Sequence, residues 1–339
     1  MAVETTEIRP AHRFDTVALQ SYLGIAGPFE IRQFSGGQSN PTFLIETASA
    51  RYVLRKKPPG ELLPSAHAIE REHRVMSALH AEGFPVAIPR LLCEDPSIIG
   101  TPFYVMDHVE GRIFRDLTLP DISPPERGAL YAVMIETLAR LHAIDWRAAG
   151  LQDYGKPGNY FARQIARWTS QYQASATGNL AAMNNLIQWL PANIPAGDET
   201  TIVHGDFRLE NLIFHPTEPR VLAVLDWELS TLGHPLADLA YNSMPYELPL
   251  GKYSGMRELD FAAHGIPTLA GSIAAYCKHA GRGRIDYWEF YMAFSLFRMA
   301  AIAQGVYARG LHGNASSQTS GSFGEAAVLL ANRAVELIA

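Results

Sequence analysis

The pattern of apolar residues changes its period at about residue 111, and this change limits what the chain can fold into. Before that point, apolar and polar residues alternate around a glycine pair, as in "FEIRQFSGGQSNPTFLIETASARYVLRKKPPG". Alternation is the period of a strand with one buried face. Beyond it, apolar residues recur every three or four positions, as in "RGALYAVMIETLARLHAID", which is typical of an amphipathic helix. The change predicts an α+β protein.

The order of the predicted elements favours two domains. Residues 1–13 are expected to be a loose leader, and "FDTVALQSYLG" predicts a short helix that ends at Gly24. Strands then surround a helix in "SAHAIEREHRVMSALHAEGF", and "PFYVMDHVEG" is the last of them. The remainder is helical apart from "TIVHG", "NLIF" and "RVLAVLDW", with "GNASSQTSGS" as a flexible loop. We predict an N-terminal domain at residues 1–110, a C-terminal domain at 111–339, and a ligand cleft between them.

Composition excludes several classes of protein. A chain of 339 residues suits two domains, and 47% hydrophobic with 18% charged residues indicates a globular fold. The net charge of −6 lacks the basic footprint of a nucleic-acid binder. Cys93 and Cys277 lie far apart, which implies neither a metal knuckle nor a disulfide framework. Without a signal-like apolar start or a run of about 18 apolar residues, we expect a cytoplasmic protein with no membrane partner and no nucleic-acid partner.

The stretch "HGDFRLEN" carries the clearest chemistry. It places polar side chains in a tight loop between the apolar segments "TIV" and "LIF". Asn211 ends this loop, and Asp226 directly follows the later apolar strand "VLAVL". Their two hard oxygen ligands suit Mg²⁺, which fills the rest of its shell with water and phosphate oxygens. Asp206 is then available to accept a proton from an attacking hydroxyl.

The motifs "HGDFRLEN" and "LDWE" resemble the catalytic core of the protein-kinase-like fold in its aminoglycoside phosphotransferase branch. The similarity extends over about residues 30–310 and implies a bilobal protein-kinase-like fold with a small antiparallel β-rich N-lobe containing one helix and a larger, mainly helical C-lobe. It also implies that Asp206 is the catalytic base and that Asn211 and Asp226 hold magnesium. Gly205 in place of the arginine of HRD, and "DWE" in place of DFG, argue against a protein substrate.

The resemblance assigns nucleotide-binding roles to the N-terminal domain. Arg55 takes the position of the lysine that neutralises the α/β-phosphates, with Lys56 and Lys57 as exposed charges. Glu72, on the apolar stripe of its helix, is the expected partner of Arg55, although which cation pairs with the phosphates stays open. The glycine-rich turn would cover the phosphates and the hinge would hold adenine; their residues are Gly36, Gly37, Gln38 and Ser39 in the turn, and Met106, Asp107, His108 and Val109 in the hinge.

In the C-terminal domain, the resemblance implies that Arg208 steadies the transferring γ-phosphoryl group. His204 is expected to order the loop by hydrogen bonding, and Asp238 to support the loop from the start of a helix. Arg298 falls on the inward face of an apolar helix, where a guanidinium needs an acidic partner. That partner is either an internal acid or an acidic substrate, and the sequence leaves both readings open.

These observations predict a phosphotransferase that uses ATP and Mg²⁺ to phosphorylate a hydroxyl of a small molecule. Within its branch, the chain is most similar to the kinase-like domain fused to some acyl-CoA dehydrogenases, which suggests a hydroxy acid or a hydroxyacyl-CoA as the acceptor. Polycationic aminoglycosides would need an acidic pocket, whereas the chain from Tyr241 onward has eight Lys/Arg and seven Asp/Glu. One alternative is a nucleotide-binding pseudokinase module; another is a metal-dependent phosphohydrolase using His204, Asp206, His215, Asp226 and His234.

Overall fold

A computed structural model describes residues 5–35, 40–60, 67–311 and 320–339. These residues form two compact units. The first unit comprises Met1–Ile113, Trp146–Gln152 and Glu210–Ser230. The second comprises Phe114–Asp145, Asp153–Leu209 and Thr231–Ala339. The division into a nucleotide-binding domain and a catalytic domain at residue 110 stays a prediction.

Strands and helices are numbered along the chain within the described residues. The strands are β1 (Thr5–Thr6), β2 (Phe29–Phe34), β3 (Thr42–Thr47), β4 (Arg51–Lys56), β5 (Pro89–Cys93), β6 (Phe103–Asp107), β7 (Thr201–Val203), β8 (Leu212–Phe214), β9 (Val221–Val224) and β10 (Thr231–Gly233). The helices are α1 (Thr16–Tyr22), α2 (Ile69–Ala81), α3 (Pro124–Ala143), α4 (Tyr160–Ser175), α5 (Ala181–Ala192), α6 (Pro235–Ser243), α7 (Phe261–His264), α8 (Leu269–His279), α9 (Trp288–Leu311) and α10 (Ser320–Ile338).

The first unit is built on a six-stranded antiparallel sheet. Its strand order is β1-β2-β3-β4-β6-β5. Successive side chains of each strand point to opposite faces of the sheet. One face packs with α1 through Leu19, Phe43 and Leu54, all fully buried, whereas α2 packs on β5 and β6. Both faces are therefore covered, so residues on opposite sides of β4 are both buried.

The predicted strands β2, β3, β4 and β6 and the helices α1 and α2 are confirmed, and so is the α+β class. Two strands of the six-stranded sheet, β1 and β5, were not predicted. The expected loose leader is wrong for Thr5–Thr6, which pair with β2, and for a 3-10 turn at Pro10–His12. The strand β5 was missed because it is a short segment that begins at a proline, which is a weak strand signal.

A second, smaller piece of sheet completes the first unit. The strands β8 and β9 pair antiparallel, and Phe214 exchanges two backbone hydrogen bonds of 2.8 Å with Arg112. Gly111 is needed beside this bridge, since a Cβ atom there would lie 2.3 Å from the Phe214 carbonyl oxygen. The close approach explains why a glycine ends the β-rich segment.

The second unit is helical around α9, as predicted. This helix packs against α4, α6 and α10 and buries most of its length, including Arg298. The strand β7 pairs with β10, which the sequence did not predict. The predicted flexible loop falls largely outside the described residues, but its last part is wrong because Ser320–Ile338 is helical. Within the described parts of the chain, we find no helix with the length and apolar character needed to span a bilayer.

Candidate active site

Arg55 is held by three carboxylates within the first unit. Its Nε atom lies 3.0 Å from Glu72 Oε2, so the predicted pair is formed. Its Nη2 atom donates to Asp226 Oδ1 and to Glu228 Oε2, each at 3.0 Å. The Nε–H group is not aligned for a hydrogen bond with Glu72 despite this distance, which makes the contact an ion pair held by charge. The arrangement joins the expected phosphate-binding cation to one of the expected metal ligands.

Burial and charge act in opposite directions on this ion pair. Burial lowers the pKa of Arg55, but the nearby acids, Glu72 first among them, outweigh it and raise the pKa well above its ordinary value. Burial raises the pKa of Glu72 to about 7, although Arg55 and a hydrogen bond from Tyr104 oppose the rise. Arg55 therefore stays charged at every physiological pH.

The glycine-rich turn at Gly36, Gly37, Gln38 and Ser39 lies outside the described residues, so its predicted role stays a prediction. The residue that follows it, Asn40, is buried. Its Nδ2 donates to Glu72 Oε1 at 2.9 Å, and its Oδ1 lies 2.9 Å from His67 Nδ1. The end of the predicted turn is thus bonded to the acid that pairs with Arg55.

Lys56 is not the exposed charge that the sequence predicted. The side chain is almost fully buried, with Nζ 3.3 Å from Thr101 Oγ1 and 5.7 Å from the ring centre of Phe14. Burial lowers the pKa of its amino group. Lys57 is partly exposed and pairs with Glu70 at 2.9 Å. Because Lys56 points to the opposite face of β4 from Arg55, it is not positioned to share the role of Arg55.

Asn211 and Asp226 are brought together by the register of β8 and β9. Leu212 pairs with Val224, and Leu225 N donates to Asn211 O at 2.8 Å. The residue before β8 therefore lies beside the residues that follow β9. An amide oxygen and a carboxylate are ligands that suit Mg²⁺, so the side chains present fit the ion. Among the residues that the structure describes, no cluster of three or more His, Cys, Asp or Glu side chains could hold a metal.

The backbone of Asp226 has a left-handed conformation, with φ 66° and ψ 62°. This conformation is uncommon for a residue other than glycine and is concentrated at functional sites. The next residue, Trp227, is 2% exposed and packs edge-on against Phe84. Its Nε1 donates to Val224 O at 2.9 Å, and its carbonyl accepts from Ser230 Oγ at 2.6 Å. The buried tryptophan thus fixes the strained residue before it.

The predicted hinge comprises the last two residues of β6, Met106 and Asp107, and the two residues after it. Met106 is buried and pairs in register with Val53. Two of the hinge N–H groups already have partners: Asp107 N donates to Ile88 O at 2.9 Å and His108 N to Arg51 O at 3.2 Å. Among the described backbone bonds, none is made by the N–H of Val109. Val109 is therefore the hinge residue whose N–H best fits the role of donor to a base.

The loop that carries Asp206 is anchored within the second unit by one buried acid. Asp238, in the first turn of α6, accepts from His204 N at 2.6 Å and from Gly205 N at 2.8 Å. Burial by itself raises the pKa of Asp238, but the hydrogen bond from His142, the neighbouring imidazoles and the backbone N–H of Gly205 lower it below its usual value. This confirms the predicted support from the start of a helix. His204 Nδ1 accepts from Asp206 N at 3.2 Å, in keeping with its predicted ordering role.

Among its described contacts in the second unit, the Asp206 side chain lies beside Tyr241 and Arg208. Tyr241 donates its hydroxyl proton to Oδ1, and Arg208 Nε lies 3.7 Å from Oδ2. Gly205, just before Asp206, has φ +84°, a left-handed conformation that favours glycine over the arginine found there in protein kinases. Arg208 is half-exposed, and its role toward the transferring phosphoryl group stays a prediction.

Among its described protein contacts, Arg298 has no acidic side chain as a partner. Its Nη2 donates to Gly205 O at 2.8 Å. Its guanidinium carbon lies 5.5 Å from the ring centre of Tyr241 and 5.7 Å from that of Trp168. These contacts belong to the loop that carries Asp206 and to its surroundings, which indicates that Arg298 helps to hold this loop. Its assignment to substrate stays a prediction.

Sequence reasoning missed Asn40, Glu228 and Tyr241 as members of these clusters. Each has a signal in hindsight, because Asn40 directly follows the glycine turn and Glu228 lies two residues after Asp226. Tyr241 lies three residues after Asp238, which places both on one face of α6. None of these signals is specific without the structure.

A β-rich unit with an arginine–glutamate pair and a helical unit with an anchored Asp loop define the kinase-like phosphotransferase fold, as the sequence predicted. The chain belongs to the phosphotransferase enzyme family, whose sequence model (APH) matches residues 30–283. The prediction of a small-molecule phosphotransferase is confirmed at the level of this family.

Individual relatives are similar over nearly the whole chain. Acyl-CoA dehydrogenase family member 10 from Mus musculus is 51% identical over 95% of this chain, which covers 31% of that protein. A solved structure from Ralstonia eutropha, assigned by name as an aminoglycoside phosphotransferase, is 49% identical with a TM-score of 0.89, covering 96% of this chain and 98% of that one. Spectinomycin phosphotransferase, solved with ADP and spectinomycin, shares the fold at 13% identity and a TM-score of 0.63, covering 97% and 99%. The chain spans about a third of the length of the first relative.

Proposed function

We propose that this protein transfers the γ-phosphoryl group of Mg-ATP to a hydroxyl group of a small molecule. The observation that carries the proposal is the cluster around Arg55. There a permanently charged guanidinium is bound to a buried glutamate and to Asp226, and the β8–β9 register sets Asn211 beside Asp226. A fixed cation next to two hard oxygen ligands suits the phosphates of a nucleotide and their metal ion. Spectinomycin phosphotransferase, which shares this fold, was solved in complex with ADP, which supports a nucleotide as a ligand of this protein.

Each candidate residue has a role that its chemistry permits. Asn211 and Asp226 would hold Mg²⁺, whose charge would stabilise the phosphate oxygens. Arg55 would bind the α/β-phosphates, and the hinge would hold the base. Asp206 would accept the proton of the attacking hydroxyl, and Arg208 would stabilise charge on the transferring group. Asp206 and Asn211 lie on one segment, five residues apart, so both belong to the same short loop.

We propose a hydroxy acid or its CoA thioester as the acceptor. The similarity to an acyl-CoA dehydrogenase family member supports an acyl compound, although that protein is about three times longer than the aligned segment. The near-balance of acidic and basic residues beyond Tyr241 gives no acidic field for a polycationic aminoglycoside. A cytoplasmic setting stays a prediction of the sequence.

The direct test is a panel of acceptors with ATP or GTP and Mg²⁺, with release of the nucleoside diphosphate as the readout. The panel holds hydroxylated acids, hydroxyacyl-CoAs and aminoglycosides. We expect ADP release that depends on a hydroxylated acid or thioester. Replacing the base, Asp206→Asn, should lower kcat by about 10²- to 10⁴-fold. Asp286→Asn is the matched control, since Asp286 pairs with Arg284 on the surface.

The outcomes separate the candidate functions. ATP binding without transfer to any acceptor would show a nucleotide-binding module, the pseudokinase alternative. Release of inorganic phosphate from ATP into water without any acceptor, dependent on bound zinc or manganese, would favour the phosphohydrolase alternative. Transfer to aminoglycosides alone would reject the proposed class of acceptor while leaving the kinase reaction intact.

A further inference from the structure

The Asp206 side chain is held by a residue that no sequence motif indicates. The backbone bonds to Asp238 fix the position of the loop, but they do not set the side-chain torsions of Asp206. Tyr241 supplies that restraint, because its hydroxyl donates to Oδ1. Tyr241 and Asp238 lie three residues apart on α6, on one face of the helix. One helix therefore holds both the backbone of the loop, at His204 and Gly205, and the side chain of the expected base.

Arg298 reinforces this contact from α9. Its Nη2 donates to Gly205 O at 2.8 Å, directly before Asp206 in the chain. The same guanidinium lies 5.5 Å from the ring centre of Tyr241 and is 9% exposed. Because a guanidinium is planar and keeps its charge, it can bind a carbonyl and stack near an aromatic ring at once. Arg298 thus restrains the loop and the tyrosine together.

Tyr241 acts here as a hydrogen-bond donor and not as a base. Burial, and then the charge of Asp206, raise the pKa of its phenol well above the ordinary value. The hydroxyl therefore keeps its proton at neutral pH. A charge-assisted hydrogen bond from a neutral phenol to a carboxylate is short and directional, which suits it to orient the acid.

We propose that Tyr241 is a positioning residue that orients the Asp206 carboxylate toward the acceptor hydroxyl, with Arg298 holding its ring. The proposal rests on the proposed function. In the reaction, the acceptor oxygen forms a bond to the γ-phosphorus and the bond to the leaving β-phosphate oxygen breaks. The acceptor proton passes to Asp206, and Tyr241 retains its own proton throughout.

The test compares Tyr241→Phe with Tyr246→Phe. Both tyrosines are 8% exposed, and the hydroxyl of Tyr246 donates to Pro267 O at 2.9 Å, away from Asp206. With Mg-ATP and the acceptor of highest turnover in the panel, Tyr241→Phe should lower kcat by about 10- to 100-fold. The KM for ATP should stay within about twofold, because the side chain leaves ground-state nucleotide contacts unchanged. Tyr246→Phe should match the wild type in both constants.

A second readout does not depend on turnover. The hydroxyl proton between Tyr241 and Asp206 should give a far-downfield proton resonance, which Tyr241→Phe and Asp206→Asn both remove and Tyr246→Phe retains. If Tyr241→Phe fails to fold, Arg298→Lys replaces it: the charge remains but the planar contact is lost, and kcat should fall with KM for ATP unchanged.

Three results would overturn the positioning role. In the first, wild-type and Tyr241→Phe proteins turn over equally, and the proposed function stands. In the second, KM for ATP rises as much as kcat falls, which indicates general loosening of the structure. In the third, the wild-type protein releases no ADP with any acceptor, and the proposed function fails as well.

Discussion

The two units hold their chemistry in different ways. In the first unit, the described contacts of the Arg55 guanidinium are ion pairs with the side chains of Glu72, Asp226 and Glu228. In the second unit, the loop bearing Asp206 is held mainly through its backbone, with two N–H groups bonded to one buried carboxylate. A long charged side chain can exchange partners with little change of fold, whereas a backbone anchor is part of the fold.

The difference matches the work proposed for each cluster. A side chain that binds a nucleotide and its metal ion must release its resting partners when these ligands arrive. The Nη2 atom of Arg55 suits this requirement, because its partners are two carboxylate side chains, Asp226 and Glu228, that can move away from it. A base gains from being fixed before the substrate arrives, because pre-organisation removes reorientation from the reaction step. We therefore expect that a second substitution can restore the stability lost on replacing Arg55, and we expect no such compensation for Asp238.

The largest effect is expected from removing the backbone anchor. Asp238→Ala leaves the N–H groups of His204 and Gly205 buried without an acceptor, at about 1–3 kcal/mol each. The free energy of unfolding should fall by about 4 kcal/mol, measured by urea denaturation followed by circular dichroism. Asp286→Ala, which removes an exposed partner of Arg284, should change it by less than about 0.5 kcal/mol. Equal effects of the two variants would contradict the anchor.

A somewhat smaller and reversible loss is expected in the first unit. Arg55→Met leaves Glu72 buried without its counter-ion and should lower the free energy of unfolding by about 3 kcal/mol. The double variant Arg55→Met/Glu72→Leu removes the orphaned charge and should return to within about 1 kcal/mol of the wild type. Calorimetric titration with ATP should show lost affinity in both variants. Failure of the second substitution to restore stability would remove the distinction between the units.

How far the sequence predicts this molecule depends on whether a signal is local. The spacing of Asp206, Asn211 and Asp226 is local, and so are the helical stripe that points Glu72 inward and the alternation that sets Arg55 apart from Lys56. The burial of Lys56 is not local, since it requires knowing that both faces of the sheet are covered. The contact of Tyr241 with Asp206 depends on how α6 packs beside the loop, and the conformation of Asp226 depends on the packing of Trp227.

The pH dependence of stability tests the start of α6, the helix that carries Asp238. His234 accepts from Leu236 N at the start of α6, and burial lowers its pKa to about 4. Below pH 6.5 the unfolded chain binds a proton that the folded chain does not, so stability falls as pH falls, by about 2 kcal/mol between pH 6.5 and 5. His234→Asn keeps a capping oxygen. It should remove this part of the dependence of the unfolding free energy on pH, as measured by urea denaturation at each pH. Parallel plots of unfolding free energy against pH for the wild type and His234→Asn would contradict the assignment of this dependence to His234.

The smallest effect is expected at Lys56, next to Arg55, whose replacement should have the largest effect in the first unit. Lys56 neighbours Arg55 on β4 but faces the other side of the sheet, where its amino group contacts Thr101 Oγ1 and lies near Phe14. Lys56→Met replaces a buried amine by an apolar chain of similar volume, which removes a desolvation cost along with a weak hydrogen bond. The free energy of unfolding should change by less than about 1 kcal/mol in either direction, and ATP affinity should not change. A loss of ATP binding as large as that of Arg55→Met would mean that Lys56 is the phosphate-binding cation. The comparison between the two units would then concern the contacts of Lys56 and not the ion pairs of Arg55.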